Sequence, residues 1–449
     1  MQDNLRRILM ALTGGLYLVL VGYTLARHEL WGDEIHSWNI VKASSSLGAL
    51  FHNMRYEGHP PVWYLILYAV SRFTHRPEAM QPVQFVLASA FIFLLLYRSP
   101  LPLWAKLLAP FGYFLLYEYG AFSRNYAVGV LLAFSVCLMR SRDWRYYVLL
   151  VLLSNTHLLG LLLAFSFLVV ERRWVGFLFL LPAVYFILPP TDSQMNTGFW
   201  LGHWDVHRVL EVLQAPVRAF FPLPAWGEEH WWNTEFVTGW SAVLVGLACV
   251  ALAWLALRRR WLFGVNLLTT LCAGLVFPLT SARYTGFLWI GFIAACWVGG
   301  VRRRWALLLL MALQLPGGVF AVWQDWNRPF SRASAAPSLV GEVPAGDRVV
   351  CDYWALNPLA AYTDSAFFCI DLGESRRFLR WDGDFAARLR RPDRYVAGAR
   401  PLGRPLYLVS TLAPAELQRV AGPDFRVRLV DFRDGAIEKG SDLYLYEVL

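Results

Sequence analysis

Two acids, Asp33 and Glu34, stand side by side in "WGDEIHSW", residues 31–38, among tryptophans and directly after the first long apolar run. Further polar groups sit in "NMRYEGHPPVWYLILY" (Glu57, His59), "AFSRNYAVGV" (Arg124, Tyr126) and "PLTSARYTGF" (Arg283, Tyr284), with Lys42 between the first two. A carboxylate within hydrogen-bond reach can take a proton from a hydroxyl. The forked donors of arginine match a phosphate. Each residue also has a plainer use. An acid at this position can cap the helix expected from the spacing of Ile35, Trp38, Val41 and Leu47. Arg283 can anchor the end of a span, Arg124 can pair with Glu118, and His59 can break a helix entry together with Pro60 and Pro61.

The elements that must position these residues are membrane spans. The chain of 449 residues is 57% hydrophobic and 16% charged, against about 25% charged in soluble domains. Its apolar residues fall in blocks separated by arginine-rich joints, the pattern of a multi-span α-helical membrane protein. The alternating segments of a β-barrel are absent from the pattern. The net charge of +9 belongs to those joints, so it points to topology and not to nucleic acid. The run 8–26, behind Arg6 and Arg7, exceeds the apolar core of about 7–15 residues in a signal peptide and reads as an uncleaved first span.

Further apolar runs cover 60–73, 83–97, 104–119, 126–139, 143–170, 174–188, 236–257, 261–279, 284–301 and 305–323. Placing every arginine joint on the cytoplasmic side requires two adjustments. The run 60–73 must lie along or dip into the outer face, and 143–170 must split at "SNTH" into two short spans. The outcome is about eleven spans, with the polar stretches that hold the chemistry-bearing residues all on the outer side. From residue 324 the composition changes. "DRVVCDY", "AFFCID", "RPLYLVS", "FRVRLVDF" and "DLYLYEVL" read as strands of a small α/β domain. The expected division is therefore a transmembrane domain over 1–323 and an outer α/β domain over 324–449. Cys351 and Cys369 lie in or beside strands, where a disulfide is permitted outside the cytoplasm, although spacing alone does not decide it. The tryptophans of the loop 189–235 suit a bilayer-surface belt, and His203 and His207, four apart, give a weak zinc pattern.

Taken in order, "DE" after the first span, "HPP" before a hydrophobic helix, and an outer-loop arginine with a nearby tyrosine resemble the GT-C superfamily of membrane glycosyltransferases. The likeness is to the protein O-mannosyltransferases and the bacterial transferases that add aminoarabinose or similar sugars from polyprenyl carriers. The resemblance implies a multi-span enzyme of the bacterial inner membrane, with its active site and C-terminal domain in the periplasm. It would move one sugar from a polyprenyl-phosphate donor to a hydroxyl of a glycan, lipid or protein acceptor. In that chemistry the leaving phosphate needs cations but no general acid. Asp33 is then the base, and Glu34 orients it or the acceptor. Arg124 and Arg283 bind the phosphate, with His59 and Lys42 as further candidates. Glu57, Tyr126 and Tyr284 are candidate substrate contacts.

Many such transferases carry another acid shortly after the outer-loop arginine. This chain has Val128, Gly129 and Val130 there, which leaves dependence on a divalent cation open and names no metal ligand. Two other readings compete. A lipid-linked oligosaccharide polymerase or ligase would share the large outer loop but not the acid pair. A lipid or solute transporter would place ionisable residues within the spans, whereas here they gather at span ends.

Overall fold

The computed structural model describes all residues except 1, 140, 142, 194–205, 280, 390, 392 and 404. The apolar runs fold as helices, which satisfy their own backbone groups where no water is available to do so. Among the described residues four of them, Asp3–Arg27, Pro77–Arg98, Gly239–Ala256 and Arg304–Asn327, are long and apolar enough to cross a membrane. Along the first, Leu5, Ile8, Leu12, Leu16 and Val19 are all exposed. Such a stripe suits contact with lipid. Shorter apolar helices and Ala282–Gly299, which is buried along most of its length, pack between the long ones.

Both adjustments required by the arginines have a counterpart in the helices. Val62–Ser71 has ten residues, a rise of about 15 Å, half of a hydrocarbon core. The run 143–170 is two helices, Trp144–Ser154 and Leu158–Val170. The break is held open by side chains: Asn155 bonds back to Val151 O at 2.9 Å, and His157 Nδ1 accepts the Gly160 N–H at 3.0 Å. The run 104–119 is less regular than one span. Pro110 and Gly112 divide it, and a π-helical turn, Phe114–Glu118, closes it. The last long helix continues past 323 to Asn327.

The C-terminal segment forms a six-stranded sheet from β1 (Arg348–Cys351), β2 (Phe367–Cys369), β3 (Glu374–Arg376), β4 (Leu406–Ser410), β5 (Val427–Arg433) and β6 (Leu443–Val448). The order is β3-β2-β1-β4-β6-β5, with β1 parallel to both β2 and β4 and the remaining pairs antiparallel. Five strands fall where apolar alternation placed them. β3, three residues long and carrying Glu374 and Arg376, has no such signal. Cys351 and Cys369 are paired in register on β1 and β2, as buried free thiols with their Sγ atoms 3.5 Å apart.

One helix joins the two parts. Gly32–Ala43, which begins one residue before Asp33, packs against both Val62–Ser71 and the sheet-domain helix Leu356–Thr363. Asn39 Nδ2 donates to Asn357 O at 3.0 Å. Lys42 Nζ donates to Ala360 O and Ala361 O at 3.2 Å each and pairs with Asp364 at 3.0 Å. Lys42 therefore caps the C-terminal end of the sheet-domain helix, where a cation is favoured. Charge-assisted bonds of this kind contribute about 1.5–3 kcal/mol each. Lys42→Met is expected to speed amide hydrogen exchange in Leu356–Thr363 while leaving the long apolar helices unchanged. Unaltered exchange in that helix would show that the docking rests on other contacts.

Candidate active site

The N-terminus of the Gly32–Ala43 helix carries Asp33 on an open face and Glu34 on a closed one. Glu34 has no side-chain exposure. Its Oε1 accepts the Ser123 N–H at 2.5 Å, and its Oε2 accepts the Trp31 N–H at 3.2 Å and faces His28 Nε2 at 3.2 Å. The opposite ring nitrogen, His28 Nδ1, lies 2.7 Å from Asp325 at the end of the last long helix. Glu34 thus binds the loop before Arg124 to the helix start that presents Asp33. It orients Asp33 through the backbone, and burial keeps it from any acceptor.

Two arginines converge on Asp33, whose side chain is 38% exposed. Arg283 Nη1 lies 2.9 Å from Asp33 Oδ2. Arg124 Nη1 donates to Asp33 O at 2.6 Å and lies 3.6 Å from Oδ2. Arg283 is confined by rings, its guanidinium carbon 5.1 Å from the centres of Trp31 and Tyr284 and 5.7 Å from that of Trp232. The Nε atoms of both arginines are buried and, among the described residues, have no hydrogen-bond partner. Glu118, the alternative partner for Arg124, accepts instead from Tyr113 Oη at 2.9 Å and Trp232 Nε1 at 3.3 Å. Burial alone would raise the Asp33 carboxyl, but Arg124 and Arg283 outweigh it and hold the group below the usual carboxylate range.

The remaining candidates divide. His59 Nδ1 lies 2.7 Å from Glu57 O, so the ring donates there and its Nε2 is left as an acceptor. Burial first, and Arg124 second, push this histidine down to about 4. With Nδ1 engaged by Glu57 O, the ring offers Nε2 to a ligand. Lys42 is engaged by the sheet-domain helix and does not join the Asp33 cluster. Glu57 pairs with His36 at 3.0 Å and meets Tyr64 Oη at 3.5 Å. Burial lowers His36, and Glu57 more than reverses this, so His36 is raised. Tyr126 stacks on Tyr119 and lies 4.9 Å from the His157 ring, while Tyr284 Oη is 3.5 Å from Arg283 Nη2.

Two cavities lie close to this ion pair. The first is a mainly apolar groove of 190 Å³, lined by Leu158, Leu159, Ile187, Phe277 and Leu279, with Glu57, His59, Tyr126, His157 and Tyr284 at its polar end. The second is a chamber of 670 Å³ beneath the sheet domain, whose walls include Trp31, Asp33, His36 and Arg283. Asp33 and Arg283 face the chamber, and Tyr284, the next residue, faces the groove.

Trp231 and Trp232 are buried, with Trp232 stacked on Phe122 at 5.5 Å. Trp232 walls Arg283, Trp231 packs on Tyr117 and Phe320, and Trp226 is exposed. His203, Trp200 and Trp204 lie outside the described residues. Among the described residues, no three His, Cys, Asp or Glu side chains are grouped as metal ligands. Around Asp33 the partners are guanidiniums, a donor set that does not fit a divalent cation. His28, His36, His157 and Asp325 were missed at the level of sequence. His36 and His157 do lie inside "WGDEIHSW" and at the end of "SNTH", whereas nothing local joins His28 to Asp325.

No family model and no curated protein matches the chain. Among solved structures, ArnT from Cupriavidus metallidurans bound to undecaprenyl phosphate is similar over 97% of both chains, at 13% identity and a TM-score of 0.58. The chain therefore has the fold of that protein, an arrangement of apolar helices with a small C-terminal sheet domain.

The buried His28 makes the support of the site sensitive to pH. Burial lowers it, but Asp325 and Glu34 together raise it to about 10, above the ordinary 6.5 of an unfolded chain. A raised folded value means that its contribution is full below pH 6.5 and is lost as pH climbs toward 10. Melting temperature is expected to fall across that window in the wild type and to fall less in His28→Gln, which should also melt lower at pH 6.5. Parallel pH profiles for the two proteins would contradict a charged His28.

Proposed function

We propose that the chain transfers a sugar from a polyprenyl-phosphate carrier to an acceptor hydroxyl. The observation that carries this reading is that Asp33 and Arg283, clustered with Arg124, open on a chamber rich in charged side chains, while the adjacent Tyr284 lines an apolar groove. A lipid-linked sugar has the same three parts in the same order: an apolar tail, a phosphate and a polar ring. The similar structure was solved with undecaprenyl phosphate, and a ligand of that class suits the groove. The same reading places the chain in a bacterial inner membrane, with the chamber and the sheet domain on the periplasmic side.

In the resting protein Asp33 occupies the place of an anion. A carboxylate held by two guanidiniums is a weak base, because its charge is already stabilised. The donor phosphate brings a competing negative charge to Arg124 and Arg283, and forked donors suit phosphate better than they suit one carboxylate oxygen. Release from the arginines restores basicity to Asp33 as the donor arrives. Asp33 then accepts the proton of the acceptor hydroxyl, and the oxygen bonds to the anomeric carbon. The bond from that carbon to the phosphate oxygen breaks, and its electron pair leaves on phosphate, where the arginines stabilise it. A polymerase or ligase would need the same pair of charges but a chamber that holds a longer glycan.

Asp33→Asn is expected to lower transfer from an undecaprenyl-phosphate sugar by about 10²–10⁴, the usual effect of losing a general base, while leaving donor binding in place. Arg124→Ala and Arg283→Ala should weaken use of the donor more than use of the acceptor. Lysine should restore little where the contact is forked. Near-normal turnover by Asp33→Asn, with a verified donor and acceptor, would overturn the proposal.

A further inference from the structure

The sheet domain has a crevice of its own, and it opens on the same chamber. The chain leaves β1 through Leu356–Thr363 to reach β2 on one side of it, then returns to place β4 on the other side. The direction of winding therefore reverses between β1 and β4. In sheets of this kind, ligands bind outside the carboxyl ends of the parallel strands at such a reversal. Asp352, directly after β1, accepts a hydrogen bond from Ser410 Oγ at the end of β4, and its backbone N–H donates to Val409 O at 3.2 Å. The residues that follow the two strands, Trp354 and Asn357 after β1 and Thr411 and Glu416 after β4, line the chamber opposite Asp33 and Arg283.

An aromatic surface stands at this edge. Trp354 is 46% exposed, and its ring lies 6.2 Å from that of Trp381. Trp381 in turn meets His36, on the helix of Asp33, at 5.8 Å. An indole left open on a wall that also carries Glu416, Thr411 and Asn357 suits a ligand with an apolar C–H face and a rim of hydroxyls. Such a ligand is a saccharide ring.

We propose that the crevice between the carboxyl ends of β1 and β4 is a saccharide subsite, with Trp354 and Trp381 as its stacking surface, that holds a sugar against Asp33. This deepens the proposed transfer reaction and rests on it. The sugar can come from the acceptor or from the donor, and the two sources are separable.

The test uses full-length protein in detergent, the variants Trp354→Ala and Trp381→Ala, and Asp33→Asn as a catalytically disabled control. A glycan array probes free saccharides. Binding of undecaprenyl phosphate and of an undecaprenyl-phosphate sugar probes the donor. The expected result is that the wild type and Asp33→Asn bind array glycans. Trp354→Ala should lose about tenfold or more in that binding while holding undecaprenyl phosphate as the wild type does. If the array is blank, a preference for the sugar-bearing lipid that disappears in Trp354→Ala assigns the subsite to the donor. Equal saccharide binding by the wild type and both tryptophan variants, or no saccharide preference in any assay, overturns the subsite. Failure of the wild type to bind undecaprenyl phosphate, with glycan binding intact, would strike the transfer reading instead. Phenylalanine in place of Trp354 should restore most of the binding, which separates stacking from a general effect on folding.

Discussion

Two guanidinium groups share one carboxylate. Arg124 and Arg283 both reach Asp33, so the site holds two positive charges against one negative, with both Nε atoms buried and without protein partners among the described residues. Like charges this close repel, and buried donors without acceptors cost free energy. The arrangement persists because its surroundings leave the arginines no other place. Three aromatic rings close on Arg283, and Glu34 fastens the loop of Arg124 to the helix start that bears Asp33. The cluster of these three side chains carries a net positive charge.

The histidines show how one side-chain type takes different states within a single region. His28 stands between two acids that raise it, and His36 is raised by Glu57. His59, buried near Arg124, is lowered. Burial lowers each of them, so it is the sign of the neighbour that decides. His28, tied to Glu34 and Asp325, belongs to the support of the site, and His59 to the lining of the groove. The sheet domain is part of the same construction, since His36, Asn39 and Lys42 all bond to its helix or to residues at that helix's end.

The sequence made the charged centre legible because its motifs are local. "DE", the arginine of "AFSRNY" and the arginine of "SARY" each sit beside apolar runs, and the sidedness argument brought them together before any fold was known. The same argument foresaw the short helix after "HPP" and the break at "SNTH". What stayed hidden depends on distance along the chain. The partner of Glu34 across His28 is Asp325, 297 residues from that histidine, and Lys42 spends its charge on carbonyls more than 300 residues away. The tautomer of His59 follows from one backbone carbonyl, which no spacing reports. β3 escaped for a different reason: its charged residues carry no apolar alternation, and only pairing with β2 makes it a strand.

The central claim is that Asp33 holds the place of a lipid phosphate until the donor arrives. A structure of the full chain with a polyprenyl-phosphate sugar bound tests this most directly. The account predicts the phosphate within hydrogen-bond distance of Arg124 and Arg283, with Asp33 withdrawn from Arg283 and turned toward the chamber. A phosphate bound elsewhere, with the Asp33–Arg283 pair still closed, would contradict it.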